Sequence, residues 1–427
     1  METLATTRTR RVGVLITRQA WETTLRTLLL EPGRFAVGEV EWRKEGPADE
    51  VLCRSLEVVD QLPDGLARPP LQDWIAVVIA RDDAQTADQW AQRFRPRRSQ
   101  RLVVLMLSEA DRSRWDAVVR DRNHLGDVET LSVVGSGGFV VGREEQPLRR
   151  SGAPVPARSS RTAGALGEGV FRRVRTSCVT LIGAGRLGCV TAFQLVGLGV
   201  PRLRVIDPDV LELANLDAMP GLTVRDVGRP KAMALAKQLL AFQPDLLVAC
   251  SQRSAIDPEA QRLMRRRSDL LITCVDDDAP RLCASRIAKQ TLTVHLDIAT
   301  QVTRRAGESA EIQADIRLLT PDRDGGCVAC VGGLADVEET LYQIGAPPDA
   351  LRRGEPVAWH QQRAGSLVTI NSIAAGVAVQ TWIDLLAADL RTSYWHRLRW
   401  RPAAPLEAVG SPVSAEPDCR FCGLSTD

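Results

Sequence analysis

The sequence predicts a doubly wound, mostly parallel α/β domain preceded by a smaller α/β or α+β domain. Three observations carry this. Apolar strand-like runs alternate with helix-like runs through the second half of the chain, and helices of that length between strands imply parallel pairing. Three glycines sit between one such strand and the next helix. A stretch rich in Arg, Pro, Ser and Gly, residues 143–164, has no apolar periodicity and divides the 427 residues in two. The expected boundaries are 1–145 for the first domain, 146–160 for a linker and 161–427 for the second.

In the first domain "RVGVLI", "DWIAVVIA" and "RLVVLML" read as buried strands. "RQAWETTLRTLLL" and "DAQTADQWAQRF" read as amphipathic helices. Its only histidine is His124, and no His, Asp and Cys cluster there at metal-ligand spacing. In the second domain "CVTLIGAG" is a strand entering a glycine turn and "CVTAFQLVGLG" a helix. "RLRVID" and "RPKAMALAKQLLAF" repeat the unit. "DLLVAC", "DLLITCVDDD" and "TVHLDIA" are further strands, with "PRLCASRIAKQ" a helix before the last. "SLVTINSIAAGVAVQTWIDLLAADL" is one long apolar helix. Asn371, Gln380 and Asp384 interrupt it, so it reads as a core helix.

Composition narrows the partners. A net charge of +2 with 44% hydrophobic and 25% charged residues is that of a soluble globular protein. It gives no reason to expect nucleic acid or a membrane surface. No signal-peptide core follows the first basic residues, and no apolar run reads as a bilayer span, so the cytoplasm is the expected location. Of the 55 basic residues only Lys44, Lys231, Lys237 and Lys289 are lysines. Where a generic cation suffices this chain writes arginine, which draws the eye to Lys231.

Gly183, Gly185 and Gly188 form GxGxxG at a strand-to-helix turn. The first permits the turn, the second lets a phosphate approach the backbone, and the third lets helix and strand pack closely. The helix N-terminus favours the anion. Asp207 lies about 20 residues beyond, where a carboxylate holds a ribose hydroxyl. The cradle alone does not choose between NAD and ATP. Cys327/Cys330 and Cys419/Cys422 form two CxxC pairs, whose spacing suits one tetrahedral structural zinc.

The following stretch, "DPDVLELANLDAMPGLTVRDVGRPKAMALA", adds Asp209, Asn215 and Lys231. Here the chain resembles the ThiF/MoeB/ubiquitin-activating superfamily, whose pattern runs "DxDxVxxxNLxRQ…VGxxKa". "DLLITCVDDDAPR" is similar to the family's "CTDN", and "SRTAGALGEGV" to its lead-in. The likeness extends over about residues 158–424. It implies a Rossmann-like ThiF-type fold and Mg-ATP-dependent adenylation of a C-terminal carboxylate on a ubiquitin-like protein, sulfur carrier or peptide. It places Asp207 and Asp209 on the ribose. Asn215, Lys231 and Arg161 fall on the phosphates, and Asp276 on magnesium. It matches the two cysteine pairs to the family's structural zinc and implies a homodimer. Arg158 stands close enough to compete for the place of Arg161.

Departures from the pattern shape the expectation. Where the family has "NLxRQ" this chain has "NLDAM", so Ala218 replaces an ATP-contacting arginine; Arg186, inside the cradle, is the candidate substitute. Residues 331–366 contain no cysteine, so chemistry is expected to stop at the acyl-adenylate. The first domain loosely resembles a JAB/JAMM metallopeptidase-like domain, without its His-x-His ligands. That implies a dead peptidase serving recognition or dimerisation. A second reading is a catalytically impaired scaffold of the same fold that binds a protein or peptide partner, favoured by Ala218. An NAD(P)-dependent oxidoreductase rests on the glycines alone.

Overall fold

The computed structural model describes residues 11–30, 35–43, 48–59, 73–80, 87–91, 100–108, 115–120, 125–135, 139–142, 155–303, 310–334, 340, 367–417, 419 and 421–422. The chain divides into two units, Met1–Pro154 and Val155–Asp427. His124 and residues 335–339 and 341–366 lie outside the described residues.

The first unit holds β1 (Arg11–Thr17), α1 (Arg18–Leu30), β2 (Phe35–Arg43), β3 (Ala48–Cys53), β4 (Glu57–Val59), β5 (Trp74–Ala80), α2 (Ala87–Ala91), β6 (Leu102–Ser108), β7 (Trp115–Arg120), β8 (Leu125–Val134) and β9 (Phe139–Gly142). The three expected strands are β1, β5 and β6. The pairing runs β1-β3-β2-β5-β6-β7-β8-β9, and β8 pairs β1 as well, so the circuit closes on itself. Val14, Ile16, Val51, Val103 and Leu105 fill one core inside it. β2 was not legible as a strand because "FAVGEVEWR" is only partly buried and carries charge.

The second unit begins with α3 (Ser160–Thr176), bent where Gly167 takes a φ of 74°. β10 (Cys178–Ile182), α4 (Arg186–Leu198), β11 (Arg202–Ile206), α5 (Lys231–Phe242) and β12 (Leu247–Ser251) follow. Then come α6 (Pro258–Met264), β13 (Leu270–Thr273), α7 (Asp278–Gln290), β14 (Val294–Thr303) and β15 (Glu311–Leu319). The described elements end with α8 (Val368–Ala387), β16 (Tyr394–Trp400) and β17 (Glu407–Pro412). The sheet order is β12-β11-β10-β13-β14-β15-β16-β17. The first five strands are parallel, and the last three extend the sheet antiparallel. Strand order reverses between β10 and β13, the switch point where doubly wound sheets bind ligands.

By length and mean hydropathy α8 could cross a membrane, which goes beyond the sequence reading of its composition. Its packing makes it a core helix. It lies on α4, β14 and β15 and buries Ile370, Ala374, Ala378 and Trp382. Its one fully buried amide is satisfied, since Asn371 Oδ1 accepts from Thr300 Oγ1 at 2.9 Å.

A buried charge network joins the two halves of this sheet. Asp297 on β14 has no exposed surface. It accepts from Arg281 Nε at 3.0 Å, Arg281 Nη2 at 2.6 Å, Arg317 Nη1 at 3.0 Å and Thr273 Oγ1 at 2.7 Å. Burial alone would raise its pKa, but the two guanidiniums hold the carboxyl well below the usual carboxylate range. His295, buried beside it, faces Thr273 Oγ1 at 2.9 Å, and burial lowers its pKa to about 4.

Removing one partner of such a network strands the others in a low-dielectric interior. Asp297→Ala is expected to lower the unfolding free energy of the second unit by about 3–5 kcal/mol, read by denaturant titration. His295 is neutral in the fold and takes up a proton on unfolding. Its contribution is therefore complete above pH 6.5 and is lost as pH falls toward about 4. His295→Gln is expected to flatten the stability–pH profile across that window; an unchanged slope would contradict the assignment.

Candidate active site

The site is built at the C-terminal ends of β10, β11 and β13. Gly183 takes a φ of 94°, and a Cβ there would lie 2.5 Å from the Cys274 carbonyl. A Cβ on Gly188 would lie 1.9 Å from the Gly183 carbonyl. Both positions therefore require glycine, and together they press the first turn of α4 onto the strand. Gly185 differs, because a Cβ there would meet nothing within 4 Å. It is the N-cap of α4 and offers no side-chain cap. The cradle thus opens outward where first-turn N–H groups favour an anion.

Asp207 is 5% exposed. Its carboxylate accepts from the Ala184 N–H at 2.6 Å and the Asp209 N–H at 2.9 Å. Burial raises its pKa against those two bonds. It ties the glycine turn to the end of β11, leaving Asp209 as the more exposed of the two acids. Asp209 accepts from Lys231 Nζ at 2.8 Å, and its carbonyl accepts from the Lys231 N–H at 2.9 Å. The lysine side chain is 13% exposed and the aspartate 57%. The remaining described lysines have other work. Lys237 pairs with Asp226 at 2.9 Å, and Lys289 donates to the Thr320 and Asp322 carbonyls.

Residues Leu213–Ala218 form a 3₁₀ turn beside the cradle. Asn215 Oδ1 accepts from the Glu212 N–H at 2.9 Å, which fixes the turn and leaves the amide NH₂ pointing elsewhere. Ala218 is buried, and Arg186 reaches into this same turn. Its guanidinium donates to the Ala214 carbonyl at 2.7 Å and pairs with Asp217 at 2.9 Å. Asp276 lies exposed between β13 and α7. Asp277 occupies the N-cap position of α7, so Asp276 is not the cap. Arg161 is exposed on the first turn of α3, while its neighbour Arg158 is engaged with the Phe242 carbonyl and ring. Hydrogen bonds link the cradle, Asp207, Asp209 and Lys231; Arg161 lies exposed on α3 and Asp276 exposed ahead of α7.

The four paired cysteines converge. Cys327 and Cys330 lie 3.7 Å apart at Sγ, Cys327 and Cys419 3.7 Å, and Cys330 and Cys422 3.4 Å. All four sulfurs lie within 4.8 Å of one another, a set that could hold one metal ion. Bonding from Cys327 and Cys422 holds the Cys330 thiol below its ordinary range. Bonding within the cluster raises Cys327 and Cys422, whereas burial dominates at the scattered cysteines. Burial pushes Cys53, Cys189 and Cys274 up to about 12 and Cys283 to about 11, and raises Cys178 and Cys250. Few of these thiols are thiolates near neutrality, which makes them poor nucleophiles.

Sequence reading missed the support beneath the site. Arg281 also bonds Asp278 at 3.1 Å, so the start of α7 next to Asp276 is tied to buried Asp297. An aspartate inside the apolar run "TVHLDIA" was the available signal.

Residues 158–402 match the profile of the ThiF family, more than half of the chain. The Escherichia coli K12 sulfur carrier protein ThiS adenylyltransferase is 26% identical over 243 residues, 57% of this chain and 87% of that protein. Rat ubiquitin-like modifier-activating enzyme 5 is 25% identical over 232 residues, 51% of each. A crystal structure of E. coli MccB with MccA-N7isoASN aligns with a TM-score of 0.48 at 16% identity, covering 67% of this chain and 78% of that one. The chain belongs to the ThiF family and is an adenylyltransferase of that type.

Proposed function

We propose that the second unit uses ATP and magnesium to activate the C-terminal carboxylate of a ubiquitin-like protein, sulfur carrier or peptide. The carboxylate oxygen attacks the α-phosphate, the bond to the β-phosphate breaks, and acyl-adenylate and pyrophosphate form. The observation that carries this reading is the partly buried Lys231 cation, held by Asp209 beside an uncapped helix N-terminus with an open glycine. Two anions must meet in this reaction, and fixed cations and N–H donors offset their repulsion. Gly183, Gly185 and Gly188 shape the phosphate cradle, and Asp209 holds the ribose through its exposed edge. Asp207 supports that acid from behind. Lys231, Asn215 and Arg161 face phosphates. Asp276 is the exposed carboxylate suited to magnesium, a hard cation that takes oxygen ligands.

Arg186 supplies the cation that Ala218 lacks. Its guanidinium already lies at the turn where Ala218 is buried, and its anionic partner Asp217 is exposed enough to yield it to a phosphate. The four converging cysteines fit a structural zinc ion, because four thiolates leave no open position. Chemistry stops at the acyl-adenylate, the protein works as a cytoplasmic homodimer, and the first unit serves recognition or dimerisation. The second reading, a catalytically impaired scaffold of the same fold, is favoured by Ala218.

Three outcomes test these assignments. ATP–pyrophosphate exchange, measured with a panel of carrier proteins and peptides bearing free C-termini, is expected from the wild-type chain. Lys231→Ala should slow it by about two to three orders of magnitude, and Asp276→Ala similarly with a weaker magnesium dependence. Binding of ATP without exchange on any carrier would favour the scaffold. Arg186→Gln is expected to weaken ATP binding about tenfold by calorimetry, the worth of one hydrogen bond to a charged group; wild-type affinity would remove Arg186 from the site. Metal analysis should find about one zinc per chain, and Cys419→Ser should lower zinc content and thermal midpoint together.

A further inference from the structure

The antiparallel extension carries a cavity, far along the sheet from the glycine cradle. Successive residues of β16 point to opposite faces. Tyr394, His396 and Leu398 lie on one face of β16. Trp395, Arg397 and Arg399 point the other way. With their register partners Ser411, Val409 and Glu407 on β17 they line a cavity of roughly 260 Å³.

The charges in this cavity are unevenly committed. Arg397 Nε donates to Asp315 Oδ1 at 3.0 Å, and its guanidinium stacks 4.3 Å over the Trp395 ring. Trp395 Nε1 donates to the same oxygen at 2.9 Å. Arg317 approaches Asp315 at 3.6 Å. Asp315 is therefore fully engaged, and it neutralises Arg397. Arg399 has no hydrogen bond or ion pair among the described residues, and its Nε is buried. It stands between Gln313 and Glu407 in register and pairs with neither.

We propose that this cavity binds one acidic side chain, aspartate or glutamate, carried by an extended polypeptide segment. A single uncommitted guanidinium matches a single carboxylate in bidentate geometry. Trp395 and Val409 provide apolar walls for the methylene stem, and the Ser411 hydroxyl a second donor. Phosphates and nucleotides fit badly. Glu407 and Asp315 repel a multiply charged anion, and the volume falls below the usual range for small-molecule sites. The occupant is a polypeptide because β17 is the last strand of the sheet. Its outer edge pairs with no other strand among the described residues, so a strand can add to its N–H and C=O groups beside the cavity.

The test uses the full chain without nucleotide, so its failure would leave the adenylation reading untouched. The probes are two fluorescein-labelled decapeptides, one alternating threonine and glutamate, the other threonine and glutamine, followed by fluorescence anisotropy. The glutamate peptide should bind at least about tenfold more tightly. Arg399→Gln should weaken it about tenfold and leave the glutamine peptide unchanged. Ser411→Asp, a change at an exposed position, should weaken it in the same direction by repulsion. Equal affinity for both peptides, or indifference to both substitutions, overturns the proposal. Competition by free glutamate at the peptide's own concentration overturns the polypeptide assignment.

Discussion

The second unit depends on one buried carboxylate. Asp297 receives two guanidiniums and a hydroxyl where no water reaches it. Each donor comes from a different element: Thr273 from β13, Arg281 from α7, Arg317 from β15. The parallel half of the sheet carries the nucleotide-type cradle, and the antiparallel half carries the rest of the sheet. Asp297 is where they are joined by something stronger than backbone pairing. Paired and fully hydrogen-bonded, such a charge specifies one arrangement, because every alternative leaves a charge uncompensated.

The same network reaches the candidate site. Arg281 bonds both Asp297 and Asp278, and Asp278 opens the helix that follows Asp276. The loop bearing Asp276 is thus held from below by a buried anchor, while Asp207 performs the like service for Asp209 and the glycine turn. In both places a buried aspartate positions an exposed one. That division of labour explains why the acids differ so much in burial while lying so near in sequence.

The parallel core of the second unit was legible because its strands are short apolar runs, all but β14 followed by a helix. The glycines were legible because their spacing encodes contacts, and the observed clashes at Gly183 and Gly188 are those contacts. What could not be read was long-range or half-buried. β15 alternates polar and apolar residues and finds its partners 80 residues away on β16. Arg186 could be flagged by position, but only the fold shows its guanidinium meeting Asp217. The roles of Arg281 and Asp297 needed the tertiary structure, since a lone acid in a strand does not announce its partners.

The cysteine cluster joins positions 92 residues apart, Cys327 to Cys419 and Cys330 to Cys422. Between them lie α8, β16 and β17. Once the four sulfurs share an ion, this span becomes a closed ring of chain, fastened by coordination instead of a covalent bridge. Backbone hydrolysis inside the ring would then produce two fragments that stay together under native conditions. The pairing of β16 with β15 and the packing of α8 would hold them as well, so the ion adds a clasp that a chelator can open.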